Sequence, residues 1–93
     1  MRDRRLQAFR AVAKHRSFTK AADALCMTQP AVTFQIKQLE DHFNARLFDR
    51  GGGGITLTPA GVVGLGYGER ILDLCGELGA KVRELAGREG GPL

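Results

Sequence analysis

Glycine is absent from the first fifty residues, and all thirteen glycines of the 93-residue chain fall in the remainder. The chain therefore has a compact front and a glycine-rich back. Tryptophan is missing altogether, and the two cysteines, Cys26 and Cys75, stand 49 positions apart. That spacing offers neither a disulfide framework nor a paired set of metal ligands, which argues against a secreted mini-protein and against a zinc module. No apolar run approaches the ~18 residues that would cross a bilayer. Nor does an apolar block follow Met1-Arg2-Asp3-Arg4-Arg5, so no signal peptide is expected. The expected compartment is the reducing cytoplasm. The length suits one domain whose core is marginal alone, so that dimerisation would help it.

Charge is distributed as unevenly as glycine. Residues 1–50 hold ten Lys/Arg against five Asp/Glu, whereas residues 51–93 hold four against five. A basic front points to an anionic polymer as partner, a solvated surface being the plainer alternative.

Leu6, Phe9, Val12 and Ala13 recur at helical spacing within 3–16, leaving an outer face of Arg4, Arg5, Arg10, Lys14 and Arg16. Ser17 is placed to cap a second helix with Phe18, Ala21, Ala22 and Leu25 inward, ended by a tight turn at Cys26-Met27. Thr28 caps a third, with Pro30 in the first turn where a missing N–H costs nothing. Val32, Ile36, Leu39 and Phe43 give this helix one apolar stripe, and Asn44 suits the left-handed geometry of its end. Two extended segments follow, Leu47–Arg50 and Ile55–Leu57, linked by Gly51–Gly54 as a hairpin loop. Thr58-Pro59 opens a last helix that runs to about Ala86, roughly 43 Å. Gly61, Gly64, Gly66 and Gly68 would each weaken it by about 0.8–1.0 kcal/mol relative to alanine, so something must pack against its start. Its later half carries Ile71, Leu74, Cys75, Leu78, Val82 and Leu85 on one side, a stripe suited to a partner helix.

Two helices joined by a tight turn, then a hairpin, make a winged helix-turn-helix: a mainly α fold of three helices plus a two-stranded wing, with a long C-terminal linker or dimerisation helix. The chain divides into the winged domain (1–58), the linker helix (59–86) and a tail expected to be disordered (87–93).

On the third helix, the side opposite the apolar stripe carries Pro30, Phe34, Lys37 and Asp41, flanked by Thr33, with Gln29 on the first turn. Gln29 can bond adenine bidentately, Thr33 can serve several bases, and Phe34 can lie against a thymine methyl group in a major groove. Lys37, and Thr28 with the open helix start, suit phosphates. Each alone reads more simply as a solvated residue; their convergence on one face of a helix after a tight turn favours DNA.

Several blocks now agree in order and spacing: Ser17-Phe18-Thr19-Lys20-Ala21-Ala22, Leu25, Thr28-Gln29-Pro30-Ala31-Val32-Thr33, Ile36-Lys37-Gln38-Leu39-Glu40, Leu47-Phe48-Asp49-Arg50 and Leu57-Thr58-Pro59-Ala60-Gly61. Over residues 3–86 the chain resembles the N-terminal domain of LysR-type transcriptional regulators. The resemblance implies sequence-specific binding of a partly palindromic promoter as a homodimer, with residues 28–43 in the major groove and the wing (47–57) near the minor groove. It implies base reading by Gln29, Pro30, Thr33 and Phe34. Backbone contacts would come from Thr28, Lys37, Arg50 and Thr58, and more weakly from Ser17, Thr19 and Lys20. Dimerisation through the long helix, a tetramer in the full-length protein and RNA polymerase as a further partner belong to the same expectation. No cofactor is expected in this chain; a co-inducer would bind a C-terminal effector domain outside it. The sequence departs from the family at Phe34, often Arg or another polar residue, at the side-chain-free tip Gly51–Gly54, and at Asn44, usually glycine.

A protein-interaction module anchored by Phe34 is the alternative of a different class. An enzyme finds little support: the glycine tetrad lacks the Gly-Lys-Ser/Thr of a phosphate loop. Cys26 and Cys75, on expected apolar faces, read as small core residues. His15 and His42 read as helix-end residues complementing the dipole.

Overall fold

The computed structural model describes residues 3–88. Three short helices, α1 (Arg4–His15), α2 (Phe18–Leu25) and α3 (Gln29–Phe43), precede a hairpin of β1 (Phe48–Gly51) and β2 (Gly54–Leu57), and α4 (Pro59–Arg88) closes the order. No helix among the described residues is long and apolar enough to cross a membrane.

Side-chain caps fix the helix starts. Asp3 Oδ1 accepts from the backbone N–H groups of Arg5 and Leu6, Ser17 Oγ from Lys20, and Thr28 Oγ1 from Ala31. Each such cap contributes on the order of 1 kcal/mol. The first three helices end on residues in the left-handed region, Arg16, Cys26 and Asn44, at φ of 51°, 56° and 52°. Asn44 behaves as its chemistry suggests. Cys26 does not sit in the core as expected: it is exposed at the left-handed stop of α2, where its backbone N–H rather than its thiol closes the turn. Cys75 is only half-buried on α4.

The three helices and the root of the wing enclose one core of Ala8, Phe9, Val12, Phe18, Ala21, Ala22, Val32, Ile36, Leu39, Leu47 and Phe48. Phe48 is its hinge-pin, meeting Phe9 edge-on at 5.4 Å and Phe18 at 6.3 Å between ring centroids. Phe43, expected to complete the stripe of α3, is 58% exposed. Phe43 lines an apolar groove of about 640 Å³ between α1, α3 and α4, together with Leu6 and Phe9 of α1 and Val63, Tyr67 and Ile71 of α4.

The strands of the wing differ from expectation in their bounds. Leu47 precedes β1, and the outer glycines pair across the ladder, Gly51 with Gly54, leaving Gly52-Gly53 as the turn. Gly52 and Gly54 both have positive φ, which glycine adopts without a Cβ penalty. Three bonds clamp the wing root. Glu40 Oε2 accepts from Leu47 N–H (2.7 Å), Leu47 C=O accepts from Thr58 N–H (3.0 Å), and Arg46 C=O accepts from the Thr58 hydroxyl (2.6 Å).

α4 is continuous and extends to Arg88, two residues beyond the expected Ala86. Gly87 and Arg88, assigned by sequence to a disordered tail, are helical; an Arg88–Glu84 pair (2.9 Å) one turn apart supports this end. The rest of that expected tail, 89–93, lies outside the described residues. Three of the four early glycines lie against neighbours: Gly61 on the Leu47 carbonyl, Gly64 on the Phe9 ring, and Gly68 on Leu6. Packing on the wing root and α1 is what offsets their poor helix propensity.

Candidate nucleic-acid interface

Burial on α3 is one-sided. Val32, Ile36 and Leu39 are within 3% of full burial, whereas Phe34 is 57% exposed. Gln29, Pro30, Thr33 and Lys37 are exposed as well. Pro30 at the second helical position removes one N–H from the first turn without removing a bond, and Thr28 spends its oxygen on Ala31 while keeping its hydroxyl proton free. This end of α3 thus presents open backbone donors and the positive end of the dipole to solvent.

Gln29 has a partner that its sequence position gives no hint of. Thr19, in the first turn of α2, donates its hydroxyl to Gln29 Oε1 at 3.3 Å. Lys37 lies 3.7 Å from Asp41, a loose pair on a highly exposed surface that contributes little and is easily given up to an anion.

Between α3 and the wing lies a cleft of about 340 Å³ lined by Phe18, Thr33, Ile36, Lys37, Glu40, Arg46, Phe48 and Arg50. Arg50 is laid over the Phe18 ring, its guanidinium carbon 4.4 Å from the centroid. The acid in this cleft, Glu40, is tied to Leu47 N–H. Lys37, Arg46 and Arg50 therefore outnumber it in a setting fit for an anionic group. Arg46 lies between α3 and β1, outside every element that the sequence pattern marks. A cation between the stop of α3 and the first strand was the available signal, but only the clamped wing root brings it to Lys37.

The remaining sequence candidates fall unevenly. Ser17 is half-buried as the cap of α2, and Lys20 is exposed on the same helix. Thr58 spends its one hydroxyl proton on Arg46 C=O and accepts from Gly61 N–H (3.0 Å), so it has no proton left to donate to a phosphate. On α4, Ile71, Leu74, Leu78, Val82 and Leu85 are between 45% and 63% exposed, an apolar stripe that continues the groove beside Phe43.

Residues 4–62 match the family described as bacterial regulatory helix-turn-helix protein, lysR family. The chain is 44% identical over 88 residues to a probable RuBisCO transcriptional regulator of Trichormus variabilis, covering 95% of this chain and 26% of that protein. A protein of the same name from Porphyra purpurea is 46% identical over 88 residues, covering 95% and 28%. The chain thus spans little more than a quarter of these relatives. Among solved structures, the BenM DNA-binding domain bound to catB site 1 DNA superposes with a TM-score of 0.87 at 35% identity, covering 92% of this chain and 97% of that one. The CbnR DNA-binding domain in complex with DNA gives 0.84 at 38% identity, covering 92% and 99%.

Proposed function

The chain belongs to the LysR family of bacterial regulatory helix-turn-helix proteins, and from that premise we propose that it binds duplex DNA sequence-specifically as a homodimer. It is a winged helix-turn-helix of the transcriptional-regulator kind and not an enzyme. The observation that carries the proposal is the one-sided burial of α3, which leaves Gln29, Pro30, Thr33 and Phe34 outward at an open, capped helix start. In this reading α3 enters the major groove and those four side chains meet base edges. Phe34 takes a thymine methyl group where a polar residue would take a hydrogen bond. Thr28, Lys37, Arg46 and Arg50 meet phosphates, with Ser17 and Lys20 at the flank; Thr58 is left out because its hydroxyl is spent within the fold. The side-chain-free turn Gly52-Gly53 offers only backbone amides to the minor groove.

The dimer forms through the apolar stripe Ile71, Leu74, Cys75, Leu78, Val82 and Leu85, giving two reading helices for a partly palindromic promoter site. For the longer protein that the relatives' length suggests, the proposal includes a further domain taking a small-molecule co-inducer, a tetramer, RNA polymerase as a contact, and action in the cytoplasm.

Selection of bound duplexes from a randomised library at about physiological salt tests this. An inverted repeat is the expected product, with thymine at the base facing Phe34. Gln29→Ala and Thr33→Ala are expected to relax base preference by about 1–3 kcal/mol. Lys37→Ala should weaken all duplexes alike and flatten the log–log salt slope by about 0.9. If the three variants lose affinity in the same manner, α3 is not the reading element. A flat salt response would favour the protein-interaction module instead.

A further inference from the structure

Gln29 is expected from its chemistry alone to offer adenine both ends of its carboxamide. The structure shows one end engaged: the Thr19 hydroxyl on α2 donates to Oε1 at 3.3 Å, across the crossing of the two helices. Both residues are exposed, so the bond organises the surface rather than the core. A threonine hydroxyl carries one proton, and this one goes to Gln29, which argues against Thr19 as a donor to phosphate. With the oxygen held toward α2, the Nε2–H₂ end is left to the ligand.

We propose that Thr19 is a positioning residue that holds the Gln29 carboxamide donor-outward, so that Gln29 selects guanine over adenine at the base it faces. Guanine presents two acceptors, N7 and O6, to the major groove, and adenine an acceptor beside a donor. An amide fixed donor-outward satisfies the first edge and leaves the adenine amino group unanswered. The inference rests on α3 reading DNA, and it replaces the bidentate adenine contact with a donor-only one.

Competition binding with the full 93-residue chain decides it, at the base position whose preference Gln29→Ala abolishes. The wild type should favour guanine over adenine there. Thr19→Val should cut that preference about 3- to 10-fold, the range of one ordinary hydrogen bond. Thr19→Ser, which keeps the donor, should restore it. Thr19→Ala removes the donor without a branched methyl group and should match Thr19→Val. In a Gln29→Ala background, Thr19→Val should change nothing. Equal loss of affinity for every duplex, or the same effect with and without Gln29, overturns the positioning role. A wild-type preference for adenine overturns it too. A wild type that enriches no sequence overturns the DNA-reading function on which it stands, a result distinguishable from the others.

Discussion

Alanine at position 61 is expected to lower the melting temperature of this chain by about 10–20 °C, although it replaces a glycine inside a helix. Helix propensity alone argues the other way, by about 1 kcal/mol in favour of alanine. Local packing overrules it. A Cβ on Gly61 would overlap the Leu47 carbonyl oxygen and come within 2.9 Å of Leu57 Cδ2 and 3.1 Å of the Leu47 carbonyl carbon. That carbonyl cannot simply withdraw, because it accepts from Thr58 N–H at 3.0 Å, and Leu47 N–H is itself bonded to Glu40. Relief requires lifting α4 from the wing root, at a cost of roughly 2–3 kcal/mol net. Gly66→Ala supplies the contrast. Nothing lies within 4 Å of its Cβ position, so propensity acts unopposed and a rise of about 4–6 °C is expected. Both are read by thermal unfolding at one fixed protein concentration, since association would itself raise the midpoint. If Gly61→Ala also raised the midpoint, the close seating of α4 on Leu47 would be wrong.

That contrast marks the boundary of what a single sequence discloses. Ser17, Thr28 and Pro30 announce their helix starts because capping is a local event, satisfied within three residues. The outward direction of Phe34 is equally local, following from helical period and the stripe behind it. Phe43 obeys the same period yet stays exposed in the groove between α1, α3 and α4, because the period of one helix does not say how closely its neighbours approach. Cys26 is apolar by composition, but its conformation is dictated by the need to stop α2. In α4 the sequence marks the four early glycines as costly without distinguishing Gly61 from Gly66, which differ only in what α4 packs against. The same holds for the site. Lys37 and Arg50 are legible as cations, but their union with Arg46 needs the clamp at Glu40, Leu47 and Thr58. The bond from Thr19 to Gln29 spans ten positions and exists only because α2 crosses the start of α3.

Leu78→Glu is expected to turn a dimer into a monomer and to reduce affinity for a two-half-site duplex by about 10²- to 10⁴-fold, the factor that a linked second contact supplies. Leu78 is 51% exposed and lies midway along the stripe from Ile71 to Leu85, so the single chain loses no core contact by the change. Helix content by circular dichroism should therefore be preserved. In the proposed dimer the same side chain would meet its partner's apolar stripe, and burying a carboxylate there would cost several kcal/mol. The apolar side chains one turn away on either side, Leu74 and Val82, are 63% and 57% exposed and offer a carboxylate no hydrogen bond. Sedimentation equilibrium of wild type and variant at micromolar concentration gives the mass directly. Titration of a duplex carrying one half-site should give equal affinities for the two proteins, because the α3 face is untouched. A variant that remained dimeric would move the interface off this stripe. A monomer that bound the full site as tightly as the wild type would instead show that each winged domain reads its DNA alone, and the apolar face of α4 would then need a different occupant.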